Sequence, residues 1–202
     1  MPRTGSRGGP QTRAKIAEVA SGLFVERGFD AVTVADVAKA AGVSSVTVFK
    51  HFPRKEDLFL DRQAEAEELL LTAVRDRGPG DDVLVLLRDL TLKLADDRHP
   101  LSGLADGALS FFQTVAASPS LANRAREIAA GLQQALTDEL EREPAYPGDI
   151  PLLAAFFIAG YTAVLVDTAR RQLAGEPLEA VAEAHRARLN GLCDALEKIY
   201  PR

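Results

Sequence analysis

The stretch Thr33–Phe52, TVADVAKAAGVSSVTVFKHF, decides how the rest of this 202-residue chain is read. Thr33 stands three residues before Asp36, the spacing at which a hydroxyl and an acidic side chain satisfy orphan backbone N–H groups at a helix start. Val34, Val37, Ala38 and Ala41 then recur at helical spacing, and Gly42 can take the left-handed conformation that ends a helix. Val43 plugs the angle that follows. Ser44 caps a second helix over Ser45–His51, with Val48 and Phe52 inward. Two helices of about two turns each bury little alone, so they need a third element beside them.

This shape offers a helix whose first turn projects among hydroxyls and cations. Ser45, Thr47, Lys50, His51, Arg54 and Lys55 carry donors suited to phosphates and base edges, and the second helix of a helix-turn-helix lies in the major groove. A plain helical corner with a solvated polar face has the same pattern, and the stretch alone leaves both readings open.

The run from Ile16 through Leu58 resembles the N-terminal DNA-binding domain of the TetR family of repressors. The likeness rests on Phe24, Gly28-Phe29, Thr33, Asp36, Val37, Ala38, the Ala41-Gly42-Val43-Ser44 turn, Thr47, Phe52, Lys55 and Glu56. It implies that Thr33, Thr47, His51 and Lys55 touch backbone phosphates and that Ser45, Val46 and Lys50 face base edges, and Ser44 is counted with them among the DNA-binding residues. Phe49 stands where the family usually has tyrosine, so a hydroxyl that commonly reaches a phosphate is absent and only packing against the sugar remains. Lys50 can address guanine acceptors, whereas Val46 is limited to apolar contact such as with a thymine methyl.

Composition fits a globular chain with a real core, at 47% hydrophobic residues. The net charge of −5 is unevenly spread. Residues 1–55 hold nine Lys and Arg against four Asp and Glu, and the remainder holds fifteen against 25, as a basic reader on an acidic body would. The single cysteine, Cys193, forms no internal disulfide, which fits a reducing cytoplasm and a small apolar residue on a helix. No segment has the charged start, apolar centre and small-residue cleavage site of a secretory signal, so a cytoplasmic location is expected.

Residues 1–11 are expected to be a disordered basic tail, whose Arg3 and Arg7, with Arg13 beyond it, either follow a minor groove or stay solvated. Residues 12–55 form the helix-turn-helix domain, whose first helix runs from about Thr12 to Arg27. Residues 56–202 form a larger helical ligand-binding and dimerisation domain, giving an all-α chain of about nine helices. Its expected helices run from the Pro53 turn to about Arg77, from Asp81 or Asp82 to about Asp97, from about Ser102 to Ala117, and from Ser118-Pro119 to before Pro144. Gly78-Pro79-Gly80 and the linker Glu143–Asp149 break the chain. Ile150–Val166 is apolar all round and must be covered on every side. It is slightly short of a membrane span and has no second such run beside it, so core on one side and a second subunit on the other is the reading taken. The last helix, about Leu178 to Tyr200, carries a broad apolar stripe. Two such helices pair with two from a twin into a four-helix bundle, and the resemblance implies the same dimer, which calls for a palindromic operator.

The resemblance further implies an interior site for a small, apolar, uncharged or weakly anionic effector, with Phe111, Phe112, Phe156, Phe157 and Tyr161 as its aromatics and Gln113 and Thr114 as polar handles. Each of these is also an ordinary core residue. His51, His99 and His185 fall in no metal-ligand or catalytic spacing, and no phosphate-binding glycine loop is present, so no catalytic residue, metal or cofactor is expected. His185 is expected to pack in the stripe of the last helix. The function expected is a ligand-responsive transcriptional regulator, most simply a repressor. A dimeric DNA-binding module without an inducer, or an all-helical enzyme with an appended helix-turn-helix, are the alternatives, the latter favoured by a buried polar cluster in the second domain.

Overall fold

A computed structural model describes residues 9–78, 81–142 and 148–200, and among these every regular element is helical. In chain order they are α1 (Pro10–Arg27), α2 (Val34–Ala41), α3 (Ser45–His51), α4 (Gln63–Arg75), α5 (Val83–Asp96), α6 (Ala108–Ala117), α7 (Pro119–Glu141), α8 (Ile150–Leu173) and α9 (Leu178–Ile199), with 3₁₀ turns at Glu56–Leu58 and Pro100–Ser102. The expected all-α class with its N-terminal helix-turn-helix is what the chain adopts. It divides into two compact units, Met1–Asp61 with Thr114–Arg124, and Arg62–Gln113 with Ala125–Arg202.

In the first unit α1, α2 and α3 close around Ile16, Ala20, Phe24, Phe29, Val37, Val48 and Phe52. α1 begins at Pro10, where the missing N–H costs nothing because a helix's first N–H groups have no partner anyway. Pro10 and Gln11 are therefore helical rather than part of a tail, and residues 1–8, with Arg3 and Arg7, lie outside the described residues. Arg13 is held against the first unit rather than free as an arm. Its guanidinium lies 4.6 Å from the centre of the Phe52 ring and donates to the Asp61 carbonyl at 2.9 Å.

The helix expected to run unbroken from the Pro53 turn to Arg77 is interrupted. Asp57 Oδ2 accepts from the Arg54 N–H at 3.1 Å and closes a tight turn. Leu58, Phe59 and Leu60 then all pack into the first core. Three consecutive side chains cannot share one face of an α-helix, so α4 starts only at Gln63. The first unit accordingly runs past Lys55 to Asp61.

The second unit packs Leu70, Val74, Leu84, Leu87, Leu153, Phe157 and Leu196 around one core, with Leu136 and Leu140 of α7. Asp82 and Asp149 cap α5 and α8 by accepting from Leu84 and Leu152 N–H. α6 begins at Ala108 rather than Ser102 because Gly103 and Gly107 take φ of +70° and +83°, which a helix cannot hold. α8 and α9 meet closely at Gly160, where an added Cβ would stand 2.2 Å from Leu192 Cδ1. The Pro79-Gly80 break and residues 143–147 of the expected linker lie outside the described residues.

Candidate nucleic-acid interface

The α2–α3 pair is built by its caps. Thr33 Oγ1 accepts from the Asp36 N–H at 3.2 Å while Asp36 Oδ2 accepts from the Thr33 N–H at 2.9 Å, a reciprocal capping box. These bonds from Thr33 to the carboxylate hold the Asp36 carboxyl below its ordinary range. Gly42 ends α2 at φ +69°, and its neighbour Val43 donates to Ala38 O at 2.9 Å, the bond pattern of a left-handed stop. Ser44 Oγ then accepts from the Thr47 N–H at 3.1 Å and starts α3.

This fixes what each expected contact residue presents. Val46, Phe49 and Lys50 are exposed on α3, Val46 at 80% and Phe49 at 49%. Val48, two positions on from Val46, is wholly buried and anchors the helix. Ser45 and Thr47 are half-buried, and the Thr47 hydroxyl lies 2.9 Å from Ser44 Oγ. The Thr33 hydroxyl gives its proton to Asp36, so in this arrangement it is the cap of α2 rather than a free donor. His51 turns Nε2 inward without a partner. Lys55 places its ammonium 4.2 Å from the centre of the Phe29 ring, a cation–π contact that holds it at the edge of the unit.

The residues expected around an effector, all of them but Thr114 in the second unit, separate into two groups. Phe157 and Tyr161 stack inside, ring planes 4° apart and centres 6.5 Å apart, and the Tyr161 hydroxyl donates to Leu101 O at 3.1 Å. Burial pushes that hydroxyl's pKa well up. Phe111 and Phe112 meet edge to face at 5.7 Å. Phe112 lies over Gly103, where an added Cβ would meet its Cζ at 2.6 Å. Phe111 and Gln113 are exposed, Thr114 is half-buried, and Phe156 is 44% exposed on the outer side of α8. Neighbours on a helix point about 100° apart, so Phe156 and Phe157 cannot both face inward.

Buried polar groups missed in the sequence lie beside these. Gln172 Nε2 donates to Gly103 O at 2.6 Å and, with Tyr161, fastens the corner after α5 to α8. His185, 1% exposed, sits with Nδ1 2.8 Å from Thr168 Oγ1. Thr168 gives its own proton to Val164 O at 3.0 Å, so it accepts from Nδ1–H and the ring carries its lone pair on Nε2. A hydroxyl already bonded to the helix backbone is no activated nucleophile, and burial lowers the His185 pKa to about 4, keeping it neutral. His185 packs in the stripe as its sequence position suggests. Nothing in the sequence marks Thr168 as its partner. Among the described residues no group of three His, Cys, Asp or Glu is arranged to hold a metal ion.

Residues 16–61 match the family model of bacterial regulatory proteins, tetR family. Over 103 residues the chain is 32% identical to the HTH-type transcriptional repressor KstR2 of Rhodococcus jostii (strain RHA1), a match covering 51% of this chain and 44% of that protein. The chain thus spans less than half the length of the curated relative it matches. The fold is similar to a TetR-family regulator (SCO0857) from Streptomyces coelicolor A3, with a TM-score of 0.59 at 22% identity, over 96% of this chain and 99% of that one. It is also similar to Thermus thermophilus FadR, a TetR-family transcriptional repressor in complex with lauroyl-CoA, with a TM-score of 0.53 at 25% identity, over 94% of this chain and 96% of that one.

Proposed function

We propose, from the match of residues 16–61 to the family model of bacterial regulatory proteins, tetR family, that the chain is a cytoplasmic, effector-responsive transcriptional repressor of that family that binds a palindromic operator as a homodimer. The observation that carries this reading is α3. It is a capped helix, anchored by Val48 and Phe52, whose outer face offers Val46, Phe49 and Lys50 to a groove. Lys50 and Val46 read base edges with Ser45. Phosphates are met by Lys55, Thr47, the Nδ1 side of His51 and the Ser44- and Thr33-capped helix starts, and Phe49 packs on sugar. Residues 12–55 are the reader and 56–202 the effector and dimer domain.

Dimerisation is supported by α8, the one helix among the described residues long and apolar enough to cross a membrane. Only 28% of its most apolar window is buried in the single chain. Its exposed residues are Pro151, Leu152, Phe156, Ala159, Ala163, Val166, Arg170 and Leu173, spaced alternately by four and three from Leu152 on, with Arg170 as the one charged member near the end. That is the spacing of a helix-packing seam, and it fits a second copy better than lipid, since the seam carries Arg170 and α9 also leaves small residues exposed at Ala187, Gly191 and Ala195. Phe156 accordingly belongs to the dimer face. The effector site is left with Phe157, Tyr161, Phe111, Phe112 and Gln113, and lauroyl-CoA in the FadR relative supports an apolar chain as the ligand class. No enzymatic step is assigned. The effector acts by linkage, preferring a dimer geometry that the operator does not, and lowers DNA affinity by the ratio of its affinities for the two.

A gel-shift titration tests the reading. A dimer neutralising six to ten phosphates loses ~10³–10⁵ in affinity between about 50 and 200 mM salt. Lys50→Ala should relax base preference by about 1–3 kcal/mol at one position, whereas Lys55→Ala should weaken all sequences alike. Equal, sequence-blind losses from both would remove Lys50 from base reading.

A further inference from the structure

The first unit contains more than its three N-terminal helices. Thr114–Arg124, the corner at which α6 ends and α7 begins, belongs to the same compact body. Leu121, 0% exposed, is packed into the core of Ile16, Phe24, Phe29 and Phe52. Three residues before it, Ser118 Oγ donates to Asp30 Oδ1 at 3.2 Å. Three residues after it, Arg124 Nε donates to Asp57 Oδ1 at 2.7 Å, in an ion pair with side chains 18% and 14% exposed.

Asp57 is used twice. Its Oδ2 closes the turn on the Arg54 N–H while its Oδ1 is held by Arg124, so one carboxylate shapes the turn and ties it down. The residue inside that turn is Lys55, whose ammonium rests on Phe29, and Phe29 directly precedes the Asp30 that Ser118 holds. The corner therefore grips both chain segments that make the Lys55–Phe29 contact. A phosphate contact gains from a cation already held in place, because less side-chain freedom is lost on binding.

We propose that Arg124 and Asp57 are positioning residues for DNA binding, holding the 54–57 turn so that Lys55 meets a backbone phosphate, with Leu121 and Ser118 fixing the corner from which Arg124 reaches. The proposal rests on the reading of Lys55 as a phosphate contact. The pair reads no base and acts through the turn, so its effect is the same on every duplex.

The test uses the full chain and a mixed-sequence duplex of roughly 30 base pairs, long enough for two half-sites, followed by fluorescence anisotropy across a salt series. Arg124→Gln should weaken binding about tenfold and lower the salt slope by about two, as for one lost phosphate contact in each chain of the dimer, while the thermal midpoint stays near that of the wild type because Leu121 still fills the core. Arg124→Lys should restore most of the affinity. In a Lys55→Ala background, Arg124→Gln should have no further effect, the non-additivity expected of residues acting through one contact. Wild-type affinity in Arg124→Gln, or a loss fully additive with Lys55→Ala, overturns the positioning role and leaves the DNA reading standing. A wild-type chain that ignores the duplex at low salt overturns both. Should Arg124→Gln not fold, Asp57→Asn gives the same readings, since asparagine keeps an acceptor for the Arg54 N–H and loses only the ion pair.

Discussion

Large apolar side chains left in solvent stand apart in the first unit, with Val25 on α1 and Val46 and Phe49 on α3, whereas in the second, besides Leu109 and Phe111 on α6 and Ile199 on α9, four lie along α8 as Leu152, Phe156, Val166 and Leu173. Around the isolated ones lie hydroxyls and cations held by capping bonds, a surface that gains from a polar, charged partner. Between the aligned ones lie Ala159, Ala163 and, near the end, Arg170, a largely apolar surface that gains from close approach. Scattered apolar residues are ordinary on a protein surface, but a contiguous run is a site of association. One chain thus prepares two surfaces by opposite means, and its two expected partners, a duplex and a twin, differ accordingly.

The largest effect expected from breaking this contrast follows from a charge in the seam. In the proposed dimer, Phe156→Arg on one copy would face its twin, and a buried unpaired charge costs several kcal/mol. Analytical ultracentrifugation should find monomer where the wild type is dimeric, with operator affinity falling in step and the helical content of each chain kept. A dimeric Phe156→Arg chain would move the association surface off α8.

The next effect concerns the inside of the second unit. His185 is held neutral by burial, with a pKa of about 4 in the folded chain against an ordinary value near 6.5. Below 6.5 the unfolded chain takes up a proton that the folded chain refuses, so stability is full above that pH and falls as pH drops toward 4, by roughly 3 kcal/mol at about 1.4 kcal/mol per decade. Urea unfolding at successive pH values should show this loss in the wild type and its absence in His185→Gln, where carboxylate titration remains as the common background. Parallel curves would mean that the histidine is hydrated in the folded state.

How much of this was legible follows the range of the forces involved. The helix-turn-helix could be read because its determinants are local: Thr33 with Asp36, Gly42 at positive φ, and Ser44 with Thr47 each act within a few residues. The caps Asp82 and Asp149 were legible for the same reason. The break at residues 59–62 was not, because helical periodicity continues through it and only the pull of the first core on Leu58, Phe59 and Leu60 interrupts it. Nor was the late start of α6, since Gly103 bends to admit Phe112. Contacts such as Thr168 with His185, Gln172 with Gly103, and Arg124 with Asp57 join residues 17, 69 and 67 positions apart, and no local pattern announces them.

Two smaller effects sharpen the contrast further. Gly160→Ala places a methyl against Leu192, whose side chain must turn aside, at about 1–3 kcal/mol. Chemical denaturation should register this, and an unchanged midpoint would show that α8 and α9 part easily. Thr33→Ala removes the capping box at about 1 kcal/mol. Amide exchange should quicken in the first turn of α2 while α8 is unaffected, and equal protection in both variants would deny the cap its role.

Native mass spectrometry of the chain with a duplex recovered from the fragments it retains would weigh the two surfaces together. The account predicts a dimer free in solution and two chains on each duplex, on a sequence whose halves are related by a two-fold axis. A single chain on the duplex, or a dimer indifferent to every duplex at low ionic strength, would contradict it.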